Sequence, residues 1–262
     1  MKINLNSMKE ILDKLQAPDF EFLVKILGSK VNYFVDFKSL EAALKEYEKS
    51  NSQSSKSKLI VLLEKEIRYY GSSDFAYIFR KAVKKEPGAR FRKIIINVAK
   101  SLKINIKHLN TEEGILEEIV IKYSSKKFAK LSLKDKQNIL VDLGVEKEEA
   151  KNFALNSIKK FSLPALISIL GAKGFEKFII NIAIAAISKY IGKEAARKII
   201  TELAKKFPWW AEWAGPVLWA ITGAWTLIDI QGPAKRKTVP IVLYLGICMI
   251  RDGLEDSDIL LD

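Results

Sequence analysis

Apolar residues recur at three- and four-residue intervals along most of this chain, the period of an amphipathic helix. Met8 to Leu27 carries Leu12, Leu15, Phe22, Leu23 and Ile26 in that pattern, interrupted at Ala17-Pro18-Asp19. Two short helices are expected there, because proline at a helix start gives up an N–H that has no partner anyway. Ser39 is placed to cap a helix over Leu40–Lys49, and the polar run Asn51 to Lys58 (NSQSSKSK) reads as a linker. Further helices are expected over Leu59–Tyr70, Asp74–Lys84 (capped by Ser73), Phe91–Leu102, Thr111–Tyr123, Ser132–Gly144 and Glu146–Phe161. No stretch alternates apolar and polar residues as a half-buried strand would. The pattern predicts an all-α protein.

Beyond Ser162-Leu163-Pro164 the pattern changes. Phe178 to Ser188 (FIINIAIAAIS) is apolar nearly all round, as a helix buried on every side must be. Lys193 to Phe207 is instead sharply two-faced: Ala196, Ile199, Ile200, Leu203 and Phe207 form one stripe, and Lys193, Arg197, Lys198, Lys205 and Lys206 crowd the other side. All five tryptophans, Trp209, Trp210, Trp213, Trp219 and Trp225, follow within Phe207–Ile230. Lys235-Arg236-Lys237 lies in a basic connector, Ala234–Pro240, before a final apolar helix, Ile241–Ile250. These shifts suggest three regions: a small N-terminal helical piece (1–50), a basic helical domain (51–160) and an apolar, tryptophan-rich C-terminal module (161–262), expected to be a bundle or hairpin.

Charge sharpens this picture. The net charge is +13, and from Phe161 onward 12 Lys and Arg face 10 Asp and Glu, so the excess sits in the first 160 residues. Such an excess suits anionic partners. The single cysteine, Cys248, cannot form an internal disulfide, which fits a reducing compartment. The start, MKINLNSMKEIL, lacks the apolar run of a signal peptide. The uncharged runs Phe178–Ser188, Trp213–Ile228 and Thr238–Ile250 hold 11, 16 and 13 residues. Each falls short of the ~20 that a spanning helix needs.

Catalytic chemistry finds little footing. His108 is the only histidine, Cys248 lies in an apolar run, and no phosphate-binding glycine loop or serine-hydrolase elbow occurs. Asp252, Glu255, Asp256 and Asp258 lack the spacing of a calcium loop. No enzyme activity, metal site or cofactor is expected.

Three blocks resemble the YaaW-like family of bacterial proteins. Glu66–Ile104 (EIRYYGSSDFAYIFRKAVKKEPGARFRKIIINVAKSLKI) follows one family pattern, with Tyr70, Ser72 and Phe91 where Phe, Gly and Tyr are usual. Lys127–Val145 resembles a second, and Gly215–Cys248 resembles the Gly-Pro…Gly-Pro-Ala-x-Arg-x-Thr-x-Pro signature. The resemblance implies an all-helical bacterial protein, with a distant link to ubiquinol–cytochrome c reductase chaperones.

The functional expectation rests on the C-terminal module. Lysines attract anionic headgroups, and tryptophans settle at the polar–apolar boundary of a bilayer. The module is therefore expected to associate with an anionic membrane, and to insert or perforate through its uncharged segments, self-associating as it does so. Lys193, Arg197, Lys198, Lys205, Lys206 and the five tryptophans would make contact, with Lys235, Arg236 and Lys237 at the polar connection. The expected location is cytoplasmic, with conditional association at the inner membrane. The alternative is a chaperone holding an apolar client segment. The lysines are scattered, without a recognition motif, so nucleic acid is not an expected partner.

Overall fold

The computed structural model describes residues 7–28, 37–71, 90–159, 161–207 and 235–253. Among them are eleven α-helices and no strand. They are α1 (Ser7–Asp13), α2 (Ala17–Gly28), α3 (Phe37–Ser50), α4 (Gln53–Tyr70), α5 (Phe91–Ser101), α6 (Glu112–Ala129), α7 (Leu133–Asp142), α8 (Lys147–Lys159), α9 (Leu163–Ile191), α10 (Lys193–Lys206) and α11 (Lys235–Gly253). The all-α expectation holds. The expected helix over Asp74–Lys84 and all five tryptophans lie outside the described residues.

Local chemistry corrects several boundaries. The Asn51–Lys58 stretch is not a linker, because α4 begins inside it. Ser52 caps that helix by accepting from the Ser55 amide at 3.2 Å, and Ser55 is itself buried. A serine-rich run is polar enough to look loose, yet its hydroxyls satisfy the amide groups that a helix start leaves open. The helix expected from Leu40 starts three residues earlier, at Phe37, so Ser39 lies inside it, and α6 runs on to Ala129 instead of Tyr123. Residues Lys235–Pro240, expected to form a connector, are the first turns of α11, with Pro240 inside the helix. Proline there forfeits one hydrogen bond, to the carbonyl of Arg236, and nothing else in the segment opposes helix. The break at Ala17-Pro18 and the helix start at Ser132 fall where the pattern places them, and Ser162 caps α9, a role the pattern did not assign.

The chain divides into two compact units, one from Met1–Ile115 with Asp229–Leu245, the other from Leu116–Ile228 with Gly246–Asp262. In the first, α2 is buried on almost every side and packs on α3, while α1 and α3 pack on α4. Phe20 meets the edge of Tyr47 at 5.5 Å between ring centres. Tyr244 of α11 stacks on Phe22 at 4.2 Å and donates its hydroxyl hydrogen to Asp19 Oδ1 at 2.7 Å. The other Asp19 oxygen accepts from the Gln16 amide at 2.9 Å. A fully buried carboxylate is tolerable only with such donors.

In the second unit, α7 packs on α8 and α9 on α10. Helix α9 is interrupted at Gly171 (φ 65°), and from Phe178 to Ser188 all of its residues are buried, as an all-round apolar helix requires. Phe128 of α6 packs edge-on against Phe178 at 5.1 Å, and Ser124 donates to the Ile179 carbonyl at 3.3 Å. Helix α11 approaches α6 through Gly246, where an added Cβ would stand 2.6 Å from the Leu116 carbonyl oxygen.

Candidate functional site

Helix α10 is the element on which the sequence concentrates charge. It begins at Gly192, whose φ of 100° is the left-handed backbone that turns the chain back so that α10 packs along α9. Its stripe is inward: Ala196, Ile199, Ile200 and Leu203 are all buried. Its cations are outward: Lys193, Arg197, Lys198, Lys205 and Lys206 are all exposed. Two carboxylates, Glu194 and Glu202, share the helix, so cations dominate its exposed side. The five cations expected to contact a membrane therefore all lie on the exposed side of one helix. The tryptophans assigned beside them lie outside the described residues, as do the side chains of Lys235, Arg236 and Lys237. The remaining uncharged segment, Thr238–Ile250, is buried throughout. Among the described residues no helix is long and apolar enough to cross a membrane.

The same unit holds a second basic group that periodicity does not reveal. Tyr123 and Lys127 are one helical turn apart on α6, and Lys130 follows just past its end. Lys189 and Tyr190 close the last turn of α9. Lys127 is only 7% exposed, and its ammonium lies 5.2 Å over the ring of Tyr123. Burial, then the charges of Lys189 and Lys130, pull its pKa down to about 8. Tyr123 and Tyr190 share a hydrogen bond, and burial holds both phenols neutral, Tyr190 being pushed up to about 12. Exposed lysines are abundant in this sequence. What sets Lys127 and Lys136 apart is burial, which is decided by packing and leaves no mark in the local pattern.

The first unit contains a cavity of about 450 Å³ lined by Tyr70, Ile94, Asn97, Lys100, Ser101 and Thr238. Burial, then the neighbouring Glu66 and Tyr69, raise the Tyr70 pKa, so its hydroxyl stays protonated. That described lining pairs no nucleophile with a base. Among the described residues no three His, Cys, Asp or Glu side chains gather as a metal site. His108 is exposed and Cys248 is buried with a free thiol.

The chain is similar to bacterial UPF0174 proteins. One from Helicobacter pylori strain J99 is 26% identical over 202 residues, covering 75% of this chain and 73% of the relative. A second from that strain is 24% identical over 194 residues, with 70% of this chain and 84% of the relative covered. One from strain 26695 is 22% identical over 199 residues, covering 72% and 87%. Their shared designation assigns no activity. No family model and no solved structure matches the chain.

Proposed function

We propose that this protein is a non-enzymatic binder of anionic phospholipid surfaces, docking through the exposed face of α10. The observation that carries this reading is the orientation of that helix. Its apolar stripe is committed to the core, so Lys193, Arg197, Lys198, Lys205 and Lys206 are held outward on a supported scaffold. Each such cation near an anionic surface contributes roughly 1 kcal/mol, screened by salt. Contact is therefore electrostatic first. Insertion or perforation through Trp213–Ile228 and Thr238–Ile250 is a further step of the same reading, and it requires Thr238–Ile250 to leave a core in which it is buried throughout.

Vesicle co-sedimentation tests the reading. Binding to phosphatidylglycerol vesicles, weak binding to phosphatidylcholine, and loss of binding as salt rises are expected. Glutamine at positions 193, 198, 205 and 206 together should abolish it. Equal binding by that variant would refute the assignment.

The resemblance to YaaW-like proteins supports a second reading, an assembly factor that grips an apolar client segment. Three exposed apolar side chains favour it: Leu133 and Val141 of α7 and Leu155 of α8, 39%, 39% and 44% exposed on two helices that pack together. Phe178, by contrast, is fully buried and is no part of an open cleft. A client that co-purifies with the wild type and is lost on Leu155→Asp, while vesicle binding persists, would favour this reading over lipid.

A further inference from the structure

We propose that the exposed face of α5 and the loop after it bind the phosphate backbone of duplex DNA, without regard to its sequence. Residues 90–110 hold six Lys and Arg and no Asp or Glu. These lysines look scattered along the chain, and folding lines them up. Lys93, Asn97 and Lys100 stand at i, i+4 and i+7, one face of α5, and all three are exposed. Lys103 and Lys107, also exposed, follow just past the helix end. Ile94, Ile95 and Val98 are buried, so the cations are carried on a helix anchored in the core. The next carboxylates along the chain are already engaged: Glu112 pairs with Arg92 at 3.4 Å and Glu113 with Lys14 at 2.8 Å.

The backbone at the end of α5 adds an independent observation. The helix closes in a Schellman motif: the Ile104 amide donates to the Ala99 carbonyl at 2.9 Å, and the Lys103 amide to the Lys100 carbonyl at 3.1 Å. The residue at the left-handed position of that motif is Lys103, with φ 56°. Glycine is the usual residue there, because a Cβ crowds the backbone in that region. A lysine kept in that strained position, within a basic stripe, points to a contact made through its charge. The neighbours of these cations select the partner. Every exposed residue from 90 to 110 is Arg, Lys, Asn or His. A bilayer binder adds apolar or aromatic anchors, and a single-strand binder adds aromatic platforms for the bases. This face has neither. Lysine interleaved with asparagine suits the phosphate and sugar oxygens of a duplex. Lys93 and Lys100 lie about 10 Å apart along the helix axis, the rise of about three phosphates on one strand.

The test is fluorescence anisotropy of short labelled DNA duplexes of two unrelated sequences, titrated with the full chain at several salt concentrations. Both duplexes should bind equally, and log Kd should rise linearly with log salt, as release of counterions requires. Lys93→Gln, Lys100→Gln and Lys107→Gln together, all at exposed positions, should weaken binding at least about tenfold and flatten that slope by about 2–3. Lys103→Gly puts the usual residue at the helix end, so it should keep the helical circular dichroism while DNA affinity falls roughly fivefold. Absence of binding by the wild type at low salt, or wild-type affinity in either variant, refutes the proposal. Tighter binding of the separated strands than of the duplex overturns it as well. If the triple variant keeps its DNA affinity and loses phosphatidylglycerol vesicles instead, the stripe faces lipid and the proposal falls. The α10 reading is separable: its glutamine variant should lose vesicles and still bind DNA, and the triple variant should do the reverse.

Discussion

At the scale of single residues, two buried polar groups illustrate how burial sets chemistry. Lys127 falls from an ordinary 10.5 to about 8 on folding, and burial also lowers Lys136. Below pH 8 Lys127 is charged in both states, and the folded state bears the cost. Between about 8 and 10.5 the unfolded chain keeps the proton and the folded one does not, so stability should rise with pH. Tyr123, Tyr190 and Tyr70 act in the opposite sense, because their raised values make the unfolded chain ionise first above about pH 10. Urea unfolding across pH 7–11 should therefore show stability climbing and then falling, with Lys127→Met flattening the climb. Tyr244 supplies the second case. Tyr244→Phe keeps the stack on Phe22 but withdraws the hydrogen that Asp19 Oδ1 accepts at 2.7 Å. Removing a donor from a buried acceptor costs about 1–3 kcal/mol, and chemical denaturation should report a loss of that order.

Among the elements, α6 and α11 approach closely at Gly246. Gly246 presents bare backbone to α6, and a Cβ there would lie 2.6 Å from the Leu116 carbonyl oxygen and 3.1 Å from the Val120 Cβ. Gly246→Ala should force the helices apart, although alanine is the better helix former. The expected loss is roughly 1–3 kcal/mol, the usual cost of overpacking a core. A rise in stability would mean that the contact relaxes freely. Ser132 offers a milder test of local reading. It caps α7 by accepting from the Asp135 amide at 3.2 Å, so Ser132→Ala should cost about 1 kcal/mol without changing helix content.

For the whole molecule, the question is whether binding to lipid leaves the core closed. Buried throughout, the amides of Thr238–Ile250 should be among the slowest to exchange with deuterium. Docking by α10 alone leaves that protection intact on anionic vesicles and retains an entrapped dye, whereas perforation would release the dye. Much of the architecture was determined by sequence alone: helical periodicity, the helix start at Ser132, the two-faced α10 and the all-round apolar stretch of α9 are local or single-helix properties, visible wherever side chains repeat at 3.6 residues. Tertiary structure decided the rest. A serine-rich run became the start of α4, capped by Ser52 and with Ser55 buried, and Lys235–Pro240 became helix despite its proline. Packing also turned the α10 stripe inward, and brought Tyr244 to Asp19 across 225 positions. Lys127 belongs to the same class: a lysine is unremarkable along a chain, and its chemistry changes only when packing removes it from water.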